Sequence, residues 1–342
     1  MVKRSGSSII TPSFIGRVVS FKKSNSSRSI VSTSILGKSR SMQFIFRYFF
    51  SYFEFSRIQY LKKELGFYDR NINLGGHSVY FLERSGDTSL PTLVFIHGFL
   101  DGCYGFRKLV KHLDYKGRIV IPDLPGYGRS KLPLISYLYQ IDVIAKILYE
   151  AIRKLSYSNL ILIGHSMGGL ISQKIAIQNK IEQNEPVLSK NLFKINGLVL
   201  LGSGCIPHPN RDEMKKILFP ENEKDIIQLL HHLYYAEVPE PSWFLKRILV
   251  SAWNVPKNHF LAENTILREK EIFFGAKAKQ IDIPTIILVG EEDELTTVSM
   301  MKKLNSWINK SKLIVIQHAR HAIHMEKAET ISIEIQKFLK LI

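Results

Sequence analysis

Six short aliphatic runs recur along this chain of 342 residues: PTLVFI (91–96), RIVIP (118–122), NLILIG (159–164), INGLVLLG (195–202), PTIILVG (284–290) and KLIVIQ (312–317). Their brevity, β-branched content and lack of polar alternation mark strands buried on both faces. Helical patterns fill the gaps near 106–113, 136–155, 167–180 and 326–341. Such alternation predicts an α/β fold, a mostly parallel sheet with helices on both faces. Ahead of the first run, FYDRNINL, Gly75-Gly76 and HSVYFLER read as a hairpin. Residues 206–281 hold no buried run but carry amphipathic stretches with Tyr234, Tyr235, Trp243, Phe244, Trp253 and Phe260. They read as a helical cap, inserted above the carboxyl edge of the sheet where open α/β folds bind ligands.

The net charge of +17 would suggest nucleic acid, but its distribution argues otherwise. Residues 1–53 hold nine Lys/Arg and no acid, so about half of the excess lies in the first sixth of the chain. The body is mildly basic and has no RNP-like motif, zinc-finger spacing or basic heptads, so no nucleic-acid partner is expected. Cys103 and Cys205 have neither C-x-x-C nor metal-type spacing, which excludes a disulfide framework or zinc module.

Thirteen of the first 41 residues are Ser, interleaved with bases. Residues 1–41 therefore read as a basic head that does not pack, with three origins left open: an organelle transit peptide, a disordered tail, or a start upstream of the true one at Met42. Residues 42–66 read as a helix. Gln43, Arg47, Ser51, Glu54 and Arg57 form one polar stripe, and Phe44, Ile45, Phe46, Tyr48, Phe49, Phe50, Tyr52, Phe53 and Phe55 form an apolar face wider than core packing requires. A helix docked on its own domain is one reading. The favoured one is peripheral membrane association through residues 42–57, aided by the basic head. The expected location is membrane-associated or cytoplasmic, and the head leaves organelle targeting open. No stretch has the length and apolarity of a conventional spanning helix.

The chemistry falls at strand ends. GHSMGG (164–169) stands between a buried strand and a helical pattern, where a sharp turn needs small residues two positions either side of a nucleophile. Ser166 is that candidate nucleophile. The backbone N–H of Met167 and, from FIHGF (95–99), that of Phe99 are candidate oxyanion donors, with His97 fixing the loop rather than acting as a base. A serine hydroxyl needs a base and an orienting acid. GEEDELT (290–296) offers Glu291, Glu292, Asp293 and Glu294; Asp293 lies deepest in the turn, and the glutamates are expected in solvent. HARHAIHMEKAE (318–329) offers His318, His321 and His324; His321 occupies the intervening loop. The chain order Ser166, Asp293, His321 is that of nucleophile-elbow hydrolases.

With these motifs, and PDLPGYGRS (122–130), residues 67–342 resemble the α/β-hydrolase fold superfamily of serine hydrolases. The cap run from PENEKDII to LKRIL is similar to membrane-associated monoacylglycerol lipases and related small bacterial lipases. The resemblance implies Ser166 as nucleophile, His321 as base then acid, Asp293 as its orienter, Phe99 and Met167 as the oxyanion hole, and no cofactor or metal. Arg320 stands where many relatives have Gly, which keeps His318 and His324 in contention. A serine at the elbow argues against dehalogenase or epoxide hydrolase chemistry, which uses an aspartate in this fold. The implied activity is cleavage of a lipophilic carboxylic ester such as a monoacylglycerol. Thioester cleavage, C–C bond hydrolysis and acyl transfer share the same motifs, and a non-catalytic lipid-binding member is the reading from another class.

Overall fold

A computed structural model describes residues 32–185, 192–265 and 268–342; most of the basic head lies outside them. Residues up to Met42 form one unit and Gln43–Ile342 another. The long helix α1 runs Ser32–Leu65, so it begins before Met42. No described helix is long and apolar enough to cross a membrane.

The second unit is an eight-stranded sheet with helices on both faces, as the alternating runs predict. The hairpin is β1 (Tyr68–Asn73) and β2 (Ser78–Arg84), turned at Gly75 and Gly76, both in the left-handed region. The six runs become β3 (Thr92–Ile96), β4 (Ile119–Pro122), β5 (Asn159–His165), β6 (Lys194–Leu201), β7 (Thr285–Gly290) and β8 (Ser311–Ile316). The spatial order is β1-β2-β4-β3-β5-β6-β7-β8, antiparallel at β1-β2 and β2-β4 and parallel elsewhere. Because β4 and β5 flank β3 on opposite sides, the loops after β3 and β5 diverge at a switch point, the crevice where such sheets place ligands. The register Ile96↔Gly164 ends the two strands together.

Alternate residues of each strand feed two cores. Val94 and Ile96 pack with α3 (Ile141–Lys154) and α4 (Met167–Gln183); Leu93 and Phe95 pack with α2 (Arg107–His112) and α12 (Ala328–Leu339). Ile58 and Leu61 of α1 are buried in this second core, each contributing about 1.5–3 kcal/mol by burial. The pattern over 136–155 is not one helix: a 3-10 turn covers Ser136–Tyr139, Gln140 is extended, and α3 follows. Between β6 and β7 lie α5 (Arg211–Leu218), α6 (Glu223–Leu233), α7 (Trp243–Trp253), α8 (Pro256–Asn264) and the short α9 (Glu269–Ile272), which form the expected cap. After β7 and β8 come α10 (Val298–Trp307) and the single turn α11 (Ile323–Glu326).

Helix α1 is buried along part of its surface only. Phe46, Ile58 and Leu61 are buried against the body, and Glu54 and Arg57 of the polar stripe turn partly inward. Phe44, Tyr48, Tyr52 and Phe55 are exposed, Phe44 at 74%.

Candidate active site

Ser166 caps α4 directly after β5, with φ 52° and ψ −117°. A non-glycine residue adopts this conformation only when its surroundings enforce it. The glycines around it show how. A Cβ on Gly164 would lie 2.4 Å from the Gly168 carbonyl oxygen and from Ser172 Oγ, and one on Gly168 would lie 2.0 Å from the Ile96 carbonyl oxygen. Strand, helix and neighbouring loop therefore close together only with no side chain at either position. The Ser166 N–H is taken by Leu201 O at 2.9 Å. The Met167 N–H, first of α4, has no intrahelical carbonyl to meet and gains from the helix dipole.

The loop after β3 approaches from the other side. A Cβ on Gly98 would stand 3.1 Å from Ser166 Cβ, so the chain at 98 lies against the elbow and brings Phe99 beside it. No backbone carbonyl among the described residues accepts the Phe99 N–H. His97 is locked in the role expected of it: Leu124 N–H donates to Nε2 at 3.0 Å, and Nδ1–H donates to Gly98 O at 2.8 Å.

The acid and the base meet behind the cavity wall. Nδ1 of His321 donates to Asp293 Oδ2 at 2.9 Å, with His321 4% and Asp293 3% exposed. Asp293 also accepts the N–H groups of Leu295 and Thr296 at 2.9 and 2.8 Å on Oδ1, and the Thr296 hydroxyl at 2.8 Å on Oδ2. The carboxylate is thus fixed by its own turn. With Nδ1–H engaged, the unprotonated Nε2 of His321 is left as an acceptor. His321 lines the same cavity as Ser166, Phe99 and Met167.

The other histidines separate clearly. His318 is exposed, has φ 53° and lies 4.0 Å from Glu292, over the Tyr235 ring. His324 is 2% exposed and faces Asp101 at 3.8 Å, not Asp293. Arg320, the departure from the family pattern, binds outward: its guanidinium donates to His231 O of α6, and its N–H donates to Glu326 at 3.2 Å. Glu292 departs from the solvated role expected of it, accepting the Ala319 N–H at 3.0 Å and so bracing the histidine loop. Glu294 is exposed and pairs with His232.

Several residues at the site had no role assigned from the sequence. His165 Nε2–H donates to His321 O at 3.0 Å. Burial and the adjacent His324 and His321 keep His165 well below the usual imidazole range, hence neutral. Burial likewise lowers His324, outweighing Asp101. Glu326 accepts the N–H groups of Tyr235 and Ala236, both at 2.7 Å, and ties the cap to the histidine loop. Thr296 has a weak signature, an Asp followed three residues later by a hydroxyl.

The cavity measures about 610 Å³ and is mainly apolar, within the range of small-molecule sites. Cap residues Phe219, Phe244 and Trp253 form one wall, and Phe49, Phe50 and Phe53 of α1 form another. Phe244 meets Phe46 and Phe49 edge to face at 5.6 and 5.2 Å, so cap and α1 close on each other. Among the described residues, no group of three or more His, Cys, Asp or Glu is placed to hold a metal ion.

Residues 91–328 match the family model described as alpha/beta hydrolase fold. The chain is 26% identical over 278 residues to hydrolase YugF of Bacillus subtilis (strain 168), itself described as uncharacterized, covering 79% of this chain and 97% of that protein. It is 25% identical over 281 residues to epoxide hydrolase 3 of Xenopus tropicalis, covering 75% and 73%. A crystal structure of a membrane phospholipase A superposes with a TM-score of 0.69 at 22% identity over 90% of this chain and 96% of that one, a likeness of fold. The chain belongs to the alpha/beta hydrolase fold family.

Proposed function

We propose that this protein is a serine hydrolase that cleaves lipophilic carboxylic esters through an acyl-enzyme, with Ser166, His321 and Asp293 as the catalytic triad. The observation that carries the reading is the buried Asp293–His321 pair, whose imidazole lines the cavity that also exposes Ser166 on a strained elbow. In the first step the Ser166 oxygen attacks the ester carbonyl while His321 Nε2 takes its proton, and Asp293 stabilises the imidazolium. Negative charge developing on the carbonyl oxygen meets the N–H groups of Phe99 and Met167. His321 then protonates the departing alcohol, and water repeats the sequence on the acyl-serine. No cofactor is required.

The names of the relatives raise epoxide opening as a rival. Attack of an aspartate on an epoxide gives an ester that water can cleave, whereas attack of a serine would give an ether, which this machinery has no means of cleaving. Ser166 at the elbow therefore favours acyl chemistry. The apolar cavity, and the resemblance of the cap to monoacylglycerol lipases, favour a long-chain substrate of the monoacylglycerol type.

The exposed rings of α1 support a second part of the proposal, peripheral membrane association through residues 42–57. Phe44, Tyr48 and Phe55 are exposed and outside the cavity lining on the same helix whose Phe49, Phe50, Tyr52 and Phe53 line the cavity. Aromatic rings favour the headgroup boundary, so a helix in that position would offer a lipid a short route to Ser166. Comparing release from monoolein, acyl-CoA, an epoxide and short p-nitrophenyl esters tests the reading. Turnover of the esters supports it; turnover of the epoxide alone would overturn it.

A further inference from the structure

The catalytic cavity has one polar end. There Arg57 of α1 and Arg107 of α2 line it together with Asp101, Tyr104, Tyr234 and His324. The Arg57 guanidinium lies 3.9 Å over the Phe53 ring and 5.5 Å from the Tyr104 ring, and makes no side-chain hydrogen bond or ion pair among the described residues. Arg107 has only long contacts, 3.4 Å to Tyr104 O and 3.6 Å to Met325 sulfur. No carboxylate stands within ion-pair distance of either group among the described residues, although a guanidinium carries five donors.

Two guanidinium groups thus share this end with one carboxylate, Asp101, which comes within ion-pair distance of neither among the described residues. Burial acts to raise Asp101, but the His324 imidazole and the Gly102 N–H hold it below the usual range, so it is ionised and already faces His324. His324 itself is 2% exposed with both ring nitrogens lacking a hydrogen-bond partner. Nor does Glu54, one turn earlier on α1, supply compensation: it opens on a separate small pocket with Ser51, Asp123 and Arg129. Burial and the like charge of Arg107 lower Arg57 below the ordinary arginine range, and the charge of Asp101 offsets them only in part. Partly desolvated like charges with idle donors are unfavourable alone and are relieved by a bound anion.

We propose that Arg57 and Arg107 form an anion-binding subsite, and that the preferred substrate is an ester amphiphile bearing a phosphate or carboxylate that reaches this end of the cavity while its carbonyl lies at Ser166. The inference deepens the serine-esterase reading and rests on it for the placement of the ester. Arginine suits the role because its planar fork meets phosphate or carboxylate through paired hydrogen bonds.

The test separates binding from turnover. Calorimetric titration of the full-length Ser166→Ala protein with monooleoylglycerol phosphate and with monooleoylglycerol reads the subsite without requiring catalysis. The phosphate-bearing ligand should bind more tightly by about tenfold or more, and Arg57→Gln with Arg107→Gln should remove that difference. Arg107→Lys, a milder change, should keep part of it. Inorganic phosphate at constant ionic strength should weaken the charged ligand and spare the neutral one if the shared chemistry is the anion. Equal affinities in the parent, or a preference that survives loss of both arginines, would overturn the subsite. Fluorophosphonate labelling of the parent enzyme independently reports on Ser166, so failure of the serine reading is distinguishable from failure of the subsite.

Discussion

His165, the residue before the candidate nucleophile, donates from Nε2 to the main-chain oxygen of His321 at 3.0 Å. The elbow and the histidine loop are thus joined by one direct hydrogen bond between residues 156 positions apart in the chain. His165 is a positioning residue: it holds the loop that carries the base, and it stays neutral because it is buried against two other imidazoles. Substitution His165→Ala should lower kcat by roughly tenfold to a hundredfold, the penalty of a small misplacement, with a smaller change in KM. Kinetics on a soluble p-nitrophenyl ester would show it; an unchanged kcat would mean that the loop is held by Glu292 and Glu326 alone.

Asp293→Asn tests the orienting acid. The amide retains an oxygen for the Leu295 and Thr296 N–H groups but no longer stabilises an imidazolium. A fall in kcat on the order of 10⁴ is expected, with a melting temperature near that of the parent. A change below about tenfold would transfer the orienting role to another acid.

Two glycines separate stability from activity. On Gly168 a Cβ would sit 2.0 Å from a backbone oxygen that has no freedom to yield, so Gly168→Ala should lose folded protein or about 1–3 kcal/mol of stability in urea melts. On Gly98 the contacts are 3.1 Å to Ser166 Cβ and to His165 Nδ1, so Gly98→Ala should fold yet turn over ester at least about tenfold more slowly. The opposite pattern would contradict the elbow packing.

Glu54 gives a pH prediction. Burial, then the charge of Asp123, pushes its carboxyl up to about 7. A carboxyl raised in the folded state binds its proton more tightly there than in the unfolded chain, so its contribution favours folding at acid pH and is lost as pH climbs through about 7. Glu54→Gln removes that titration. The variant's melting temperature should therefore gain on the parent as pH rises from about 4 to about 8, and a gain that shrinks over this window would reverse the sign of the argument.

Membrane association through α1 predicts that replacing Phe44, Tyr48 and Phe55 together by Gln reduces co-sedimentation with anionic liposomes while preserving ester turnover in detergent. These rings are exposed, so the fold has little stake in them. Undiminished sedimentation would remove the helix from that role.

Much of this architecture was legible because buried parallel strands leave unbroken aliphatic runs: each of the six runs became a strand, within a residue or two at either end. Spacing favoured His321 over its neighbours, since His318 stands two residues from the end of β8 and His324 lies within α11. The double character of α1 was not legible. Its ring-rich sequence cannot say which aromatics meet Phe244 of a cap some 200 residues away and which face outward. For the same reason Arg57 and Arg107 carried no signal: guanidinium groups on separate helices acquire meaning only when a cavity brings them together. Glu292 read as one of three solvated glutamates until the fold placed it on the Ala319 N–H.

The most direct test of the central claim is intact-mass analysis after reaction with a fluorophosphonate, run on the parent, Ser166→Ala and His321→Ala. The account predicts one adduct on the parent, mapped to Ser166, none on Ser166→Ala, and labelling slowed by about a thousandfold or more on His321→Ala. An adduct on Ser166→Ala, or labelling of His321→Ala at the parental rate, would contradict it.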